Sequence, residues 1–202
     1  MAKEAAHVVP FQPGDPSLDA AYFERLYAAD SDPWNFSDSP YEAEKYERTI
    51  EALGERRFSS ALEIGCSIGV LSRRLAERCD RLLSVDINGR ALAAAKQRCA
   101  KRRNVSFAEM NVPREFPKEL FDLIVVSEVA YYWSDDDLAL AIDEIAGAAP
   151  GGTIELVHFL PKVEDYARDG DAVHGAFLDD RRFIRTAAMR ADRYRIDVLS
   201  VR

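Results

Sequence analysis

A chain of 202 residues, 48% hydrophobic and 31% charged, has the make-up of an ordinary globular protein able to bury one α/β core. Its formal net charge of −8 argues against nucleic-acid binding, which relies on basic patches to neutralise phosphates. Nothing approaches the ~20 apolar residues that span a bilayer, and Met1–His7 opens no signal-peptide core, so a cytoplasmic protein without membrane contacts is expected.

Residues 1–16 carry Pro10, Pro13, Gly14 and Pro16 and read as a loose arm. Ser17 is placed to cap a helix from Leu18 to about Ala29. The polar stretch Asp30–Ser39 has turn chemistry and holds Trp34 and Phe36. Ser39 and Pro40 form an N-cap and first helical position, so a second helix runs from Tyr41 to Leu53 and Gly54 closes it. From Ser60 the pattern alternates. Strands are expected near 60–64, 81–86, 104–108, 121–127 and 153–159, with helices near 69–78, 88–102 and 134–148. Such alternation implies a doubly wound α/β fold, one mostly parallel sheet with helices on both faces. The tail reads as a helix over about 173–190, followed by an antiparallel edge strand at 194–201. The basic run Arg181–Arg185 would then be a solvated helix face. Cys66, Cys79 and Cys99 show no C-x-x-C pair and no His in ligand spacing, so neither a disulfide framework nor a metal site is expected.

The most informative stretch is Ala61–Ser72, a buried strand running into a glycine loop and then a helix. Gly65 and Gly69 permit positive φ and close approach to a ligand. About twenty residues on, the strand Leu82–Asp86 ends in an acid, the pairing an α/β sheet uses for a ribose-bearing cofactor. The dinucleotide pattern G-x-G-x-x-G fails here at Ser67 and Val70, which disfavours a nicotinamide oxidoreductase. No Gly-Lys-Ser/Thr follows to cradle phosphate. Glu63, two residues before Gly65, would repel an anionic ligand but suits one carrying ammonium and sulfonium charges. S-adenosylmethionine meets that requirement; a glycine turn with no ligand is the plain alternative.

With these residues the chain resembles the class I S-adenosylmethionine-dependent methyltransferases. Within them it is most similar to the nodulation N-methyltransferase (nodulation protein S) family. The similarity rests on Glu63-Ile-Gly-Cys66, Phe121-Asp-Leu-Ile-Val-Val126, Glu128-Val129, Tyr131-Tyr132 and Asp32-Pro-Trp34, and covers roughly residues 30–160. It implies one methyltransferase domain, with residues 17–54 as a helical lid and 55–202 as the α/β core. It also implies that Trp34 lies over the cofactor and that Lys45 reaches the methionine carboxylate; plain core and solvated-helix roles are their alternatives.

Ligands in open α/β sheets sit beyond the carboxyl ends of the strands. Glu63, Gly65, Cys66, Ser67, Gly69, Asp86, Ile87, Asn111, Val112, Ser127, Glu128 and Tyr132 are therefore cofactor-site candidates. Asp86 would accept from the ribose, Ile87 would cover adenine, and Asn111 would read the adenine edge or serve as a turn residue before Pro113. Methyl transfer to an amine needs a proton acceptor, for which Glu128, His158 and His174 are candidates; cap or structural roles are the alternatives. The expected reaction methylates a small polar acceptor, favouring an amine, with a sugar amine among the candidates. An O-methyltransferase or a non-catalytic binding module is the rival, and oligomeric state is not legible.

Overall fold

The computed structural model describes residues 11, 12 and 14–202. Residues 1–10 and Pro13 of the expected loose arm lie outside the described residues. Of its other residues, the amide of Phe11 donates to the carbonyl of Glu164 at 2.9 Å, and that of Gln12 donates within the arm to Asp15 at 2.8 Å.

Two helices precede the sheet, α1 (Ala20–Ala29) and α2 (Pro40–Ala52). Asp19 caps α1, its carboxylate accepting from the amide of Tyr22, so Ser17 is not the cap as the sequence suggests. Ser17 instead ties the N-terminal segment to the start of a distant helix. Its hydroxyl takes the amide of Ser134 at 2.8 Å and donates to Asp137 at 2.5 Å. Ser39 caps α2 with Pro40 in the first turn, and Gly54 follows at φ 65°, as the sequence indicates.

The chain then alternates through β1 (Ala61–Ile64), α3 (Val70–Leu75), β2 (Leu82–Asp86), α4 (Gly89–Arg98), β3 (Val105–Glu109), β4 (Leu123–Ser127), α5 (Asp135–Ala148), β5 (Thr153–Phe159), α6 (Gly170–Asp179), β6 (Phe183–Arg190) and β7 (Tyr194–Val201). The seven strands form one sheet in the order β3-β2-β1-β4-β5-β7-β6. The first five are parallel, and β7 pairs antiparallel with both β5 and β6. β4 is buried along its whole length, as an apolar run covered on both faces must be. Among the described residues no helix is long and apolar enough to cross a membrane.

The tail departs from the sequence reading. The expected helix over 173–190 is α6 followed by the edge strand β6, and β7 is an inner strand rather than the edge. Arg181–Arg190 has helix-compatible residues, but pairing with the apolar alternation of β7 outweighs local propensity. Arg185 and Arg190 on β6 and the register shift between Arg185 and Ala187 suit an outermost strand. His174, expected at a helix start, lies inside α6 and is fully buried.

One row across the sheet is unexpectedly polar: Ser84, Glu63, Val125, Glu155 and Val198 stand in register. Glu155 is fully buried, neither carboxyl oxygen has a hydrogen-bond partner among the described residues, and burial holds its pKa well above the carboxylate range. A folded-state pKa above the unfolded one gives stability that is present at low pH and lost as pH rises past about 4.3. Glu155→Met is expected to stabilise the protein by about 1–3 kcal/mol at pH 8 and to flatten that decline. Urea melts at pH 5 and pH 8 check it; a less stable variant would show a compensating partner.

Candidate functional site

The loop after β1 is shaped by close packing. Gly65 has φ 84°, and a Cβ there would lie 2.7 Å from the carbonyl oxygen of Ser127. Its amide and that of Cys66 both donate to the carbonyl of Val85, locking the loop to the end of β2. Ser67, at φ 49°, turns its amide onto Asp86 Oδ2 at 2.8 Å, while the Asn88 amide reaches Oδ1 at 3.0 Å. Burial pushes the Asp86 carboxyl up to about 6 in spite of these donors. Gly69 opens α3 in the left-handed region and abuts Ala95 of α4, so it shapes the loop from behind.

Glu63 is buried in β1. Its Oε2 accepts from Ser84 at 2.6 Å, and burial raises its pKa to about 7 against the pull of the Ser72 and Ser84 hydroxyls. The acid therefore sits beside the loop with capacity for a hydrogen-bond donor or a cation.

Glu63, Gly65, Cys66, Ser67, Asp86, Ile87, Asn111, Val112, Ser127, Glu128, Tyr132, Trp34 and Lys45 all line one cavity of about 520 Å³. Its roof comes from the N-terminal helices. Tyr27 of α1 bonds Ser67 through its hydroxyl at 2.5 Å and meets Trp34 edge to face, and Trp34 stacks on Phe36. The side-chain amide of Asn111 has no hydrogen-bond partner among the described residues, while its backbone amide donates to Glu115.

The floor beyond β4 is ionic. Lys45 is 1% exposed, and its Nζ lies 2.5 Å from Glu128 Oε1 and 2.8 Å from Glu42 Oε2. Burial alone would lower the ammonium's pKa; the two carboxylates outweigh it and hold it above the usual lysine range. Glu128 Oε2 also accepts from the Tyr131 hydroxyl at 2.6 Å and the Phe159 amide at 2.9 Å. Glu128 itself sits at φ 55°. Among the described residues the non-glycine positive-φ positions are Asn35, Ser67 and Glu128, all on the cavity wall.

His158 and His174 are not brought into the cavity. Both are fully buried behind it in a directed chain. Asp197, held by Arg195 at 2.7 Å, accepts from His174 Nδ1 at 2.8 Å. A neutral ring then presents His174 Nε2 as acceptor to His158 Nδ1 at 3.2 Å, and His158 Nε2 is left to accept the Ala130 amide at 3.4 Å. Burial lowers both histidine pKa values, which keeps the rings neutral. The chain ends on the 3₁₀ turn Ala130–Tyr132, whose tyrosines face the cavity.

Sequence reasoning missed Tyr27, Tyr41, Tyr166 and Arg193, which also line the cavity together with Phe159 at the end of β5. Tyr166 stacks on Tyr131 with centroids 4.8 Å apart, and Arg193 lies over the rings of Tyr41 and Phe159. Their segments carry no local motif. Only the aromatic content of the stretches around 41 and 159–166 hints at them.

The family model described as Nodulation protein S (NodS) matches residues 20–149. Nodulation protein S of Rhizobium tropici is 34% identical over 131 residues, covering 63% of this chain and 55% of that protein. The chain spans about half the length of the nodulation protein S relatives it matches. The crystal structure of N-methyltransferase NodS from Bradyrhizobium japonicum WM9 in complex with S-adenosyl-L-homocysteine superposes with a TM-score of 0.81 at 27% identity, covering 90% of this chain and 97% of that one. A putative methyltransferase from Pseudomonas syringae gives a TM-score of 0.68 at 32% identity, covering 79% and 98%. The fold is that of the class I methyltransferases, and the chain belongs to the nodulation protein S family.

Proposed function

We propose that this chain transfers the methyl group of S-adenosylmethionine to an amine on a small-molecule acceptor. The observation that carries the reading is one cavity joining the Gly65–Ser67 loop, the Asp86 carboxylate and the buried Glu63 carboxyl. That acidic wall, with no phosphate cradle, fits a cationic nucleoside. The similarity to an N-methyltransferase that binds S-adenosyl-L-homocysteine supports the same choice.

In this reading Asp86 accepts from the ribose hydroxyls and Ile87 covers the adenine. Asn111 offers its free amide to the ring edge, with Val112 beside it. Glu63 faces the ammonium group. Lys45 has three N–H donors, of which Glu42 and Glu128 take two, leaving one for the methionine carboxylate. Cys66, Ser67, Ser127 and Tyr132 complete the walls. The cofactor, once bound, supplies an already activated methyl group, so the protein's work is alignment and exclusion of water. Trp34 and Tyr27 shut out water from above. An ammonium acceptor must first lose a proton, and Glu128 takes it at the cavity floor. His158 and His174 lie outside the cavity and act only by holding the Ala130–Tyr132 turn.

Incubation with methyl-labelled cofactor and matched panels of amines and alcohols tests the reaction; label on alcohols alone would overturn the amine assignment. Glu128→Gln should slow turnover at least tenfold and leave cofactor affinity within about threefold. Wild-type turnover in that variant would remove Glu128 from proton transfer.

Cofactor affinity should fall as pH drops from 8 to 5. Ribose donors and an ammonium favour ionised Asp86 and Glu63, whose free-state pKa values stand near 6 and 7. Calorimetry across that range, with proton release on binding near pH 7, checks the sign. Tighter binding at pH 5 would contradict it.

A further inference from the structure

We infer that Arg193 is an anion-reading residue of the acceptor pocket, so that the amine acceptor also carries a carboxylate, phosphate or sulfate group. The inference rests on the methyl-transfer reading above and names its substrate class.

Among the described residues only two cations line the cavity, Lys45 and Arg193. Lys45 is held between two carboxylates. Arg193 has no hydrogen bond or ion pair through its guanidinium among the described residues. Exposed at the cavity rim, it lies over two aromatic rings, 4.8 Å from the Tyr41 centroid and 5.2 Å from that of Phe159. Its backbone is pinned as well, the carbonyl accepting from the Leu160 amide at 2.9 Å and the Tyr41 hydroxyl at 3.4 Å. Contact with the two rings positions the guanidinium and leaves its N–H fork free of protein partners among the described residues, the arrangement that suits a planar or tetrahedral oxyanion. Its neighbour Arg195, by contrast, is committed to Asp197 and Asp171.

Lys45 Nζ and Arg193 share the Tyr41 ring, at 5.2 and 4.8 Å from its centroid, so the S-adenosylhomocysteine readout below separates an acceptor anion from the cofactor's own carboxylate. Arg193 lies in the turn between β6 and β7, directly before Tyr194, which pairs with Phe159 at the carboxyl end of β5. From Asp86 at the end of β2, the strand order crosses β1, β4 and β5 before reaching β7. Four strand spacings amount to about 19 Å. Glu128, at the end of β4, is two spacings from Arg193, about 10 Å between backbones. The acceptor compartment therefore has a carboxylate-rich floor, walls of Tyr41, Tyr131, Tyr166 and Phe159, and, among the described residues, a single free cation at its far side. That polarity selects an amine at Glu128 and an anion at Arg193.

The test measures binding to protein saturated with S-adenosylhomocysteine, using two probe pairs that differ by one anion: tyrosine against tyramine, and glucosamine 6-phosphate against glucosamine. At least one anionic member should bind ten or more times tighter than its partner. Arg193→Gln should abolish that preference and leave S-adenosylhomocysteine affinity unchanged, while Arg193→Lys should restore part of it. Equal binding within both pairs, or a preference that survives Arg193→Gln, overturns the inference. So does a tenfold loss of S-adenosylhomocysteine affinity in Arg193→Gln, which would give the guanidinium to the cofactor. Failure of the wild-type protein to bind S-adenosylhomocysteine at all would instead bring down the methyl-transfer reading and the inference with it.

Discussion

Lys45→Met should destabilise the fold by about 3–5 kcal/mol at pH 7, because removing the cation leaves Glu42 and Glu128 facing each other in a buried site. The two carboxylates lie 2.8 and 2.5 Å from Nζ, and the lysine itself is almost wholly covered. Their attraction raises the folded-state pKa of Lys45, so its contribution is complete at every pH below about 10.4 and is lost only as pH rises through the folded value. Burial also raises Glu42, against the pull of Lys45. The defect in Lys45→Met should therefore shrink at pH 5, where that acid protonates more readily. Adding Glu42→Gln to Lys45→Met should recover part of the loss. Urea titrations of the two variants at pH 5 and 7 measure both effects. A stability change under 1 kcal/mol would mean that water, not the lysine, neutralises the pair.

Asp86→Ala should weaken S-adenosylmethionine binding by about 1.5–3 kcal/mol, or ten- to a hundredfold, from the loss of hydrogen bonds to a charged acceptor. The substitution acts twice. It removes the proposed ribose acceptor, and it strands the amides of Ser67 and Asn88, the first of which holds the loop in its positive-φ turn. Asp86→Asn separates these effects, since its carbonyl can still take one amide. Its affinity should fall between those of the wild type and Asp86→Ala. Competition binding with a fluorescent cofactor analogue reads all three proteins; equal affinities would place the ribose elsewhere.

Much of the site is legible because its parts are local. Gly65, Ser67 and Gly69 lie on one loop, and Asp86 follows at the end of the next strand, so spacing alone brings them together. The parallel core is legible for the same reason: buried strands and amphipathic helices alternate in short periods. What spacing cannot show is pairing across distance. Lys45 meets Glu128 across 83 positions, and His174 meets Asp197 across 23. Both depend on strand order. The histidines stand out in a sequence with three of them, yet their burial behind the cavity follows from α6 packing on β5 and β7. The β6 segment reads as helix because Arg, Ala and Met favour helices locally, whereas its pairing partner comes later in the chain. Arg193 has no motif at all; only the hairpin that carries it past Tyr41 and Phe159 gives it a place in the cavity.

We propose that the loop from Glu63 to Ser67, together with Asp86, receives a phosphate-free cationic nucleoside. Equilibrium dialysis with radiolabelled S-adenosylmethionine at pH 8, challenged in turn by S-adenosylhomocysteine and NADH, addresses that most directly. One saturable site displaced by S-adenosylhomocysteine and untouched by NADH is the expected result. No retained label, or label displaced by NADH, would contradict it.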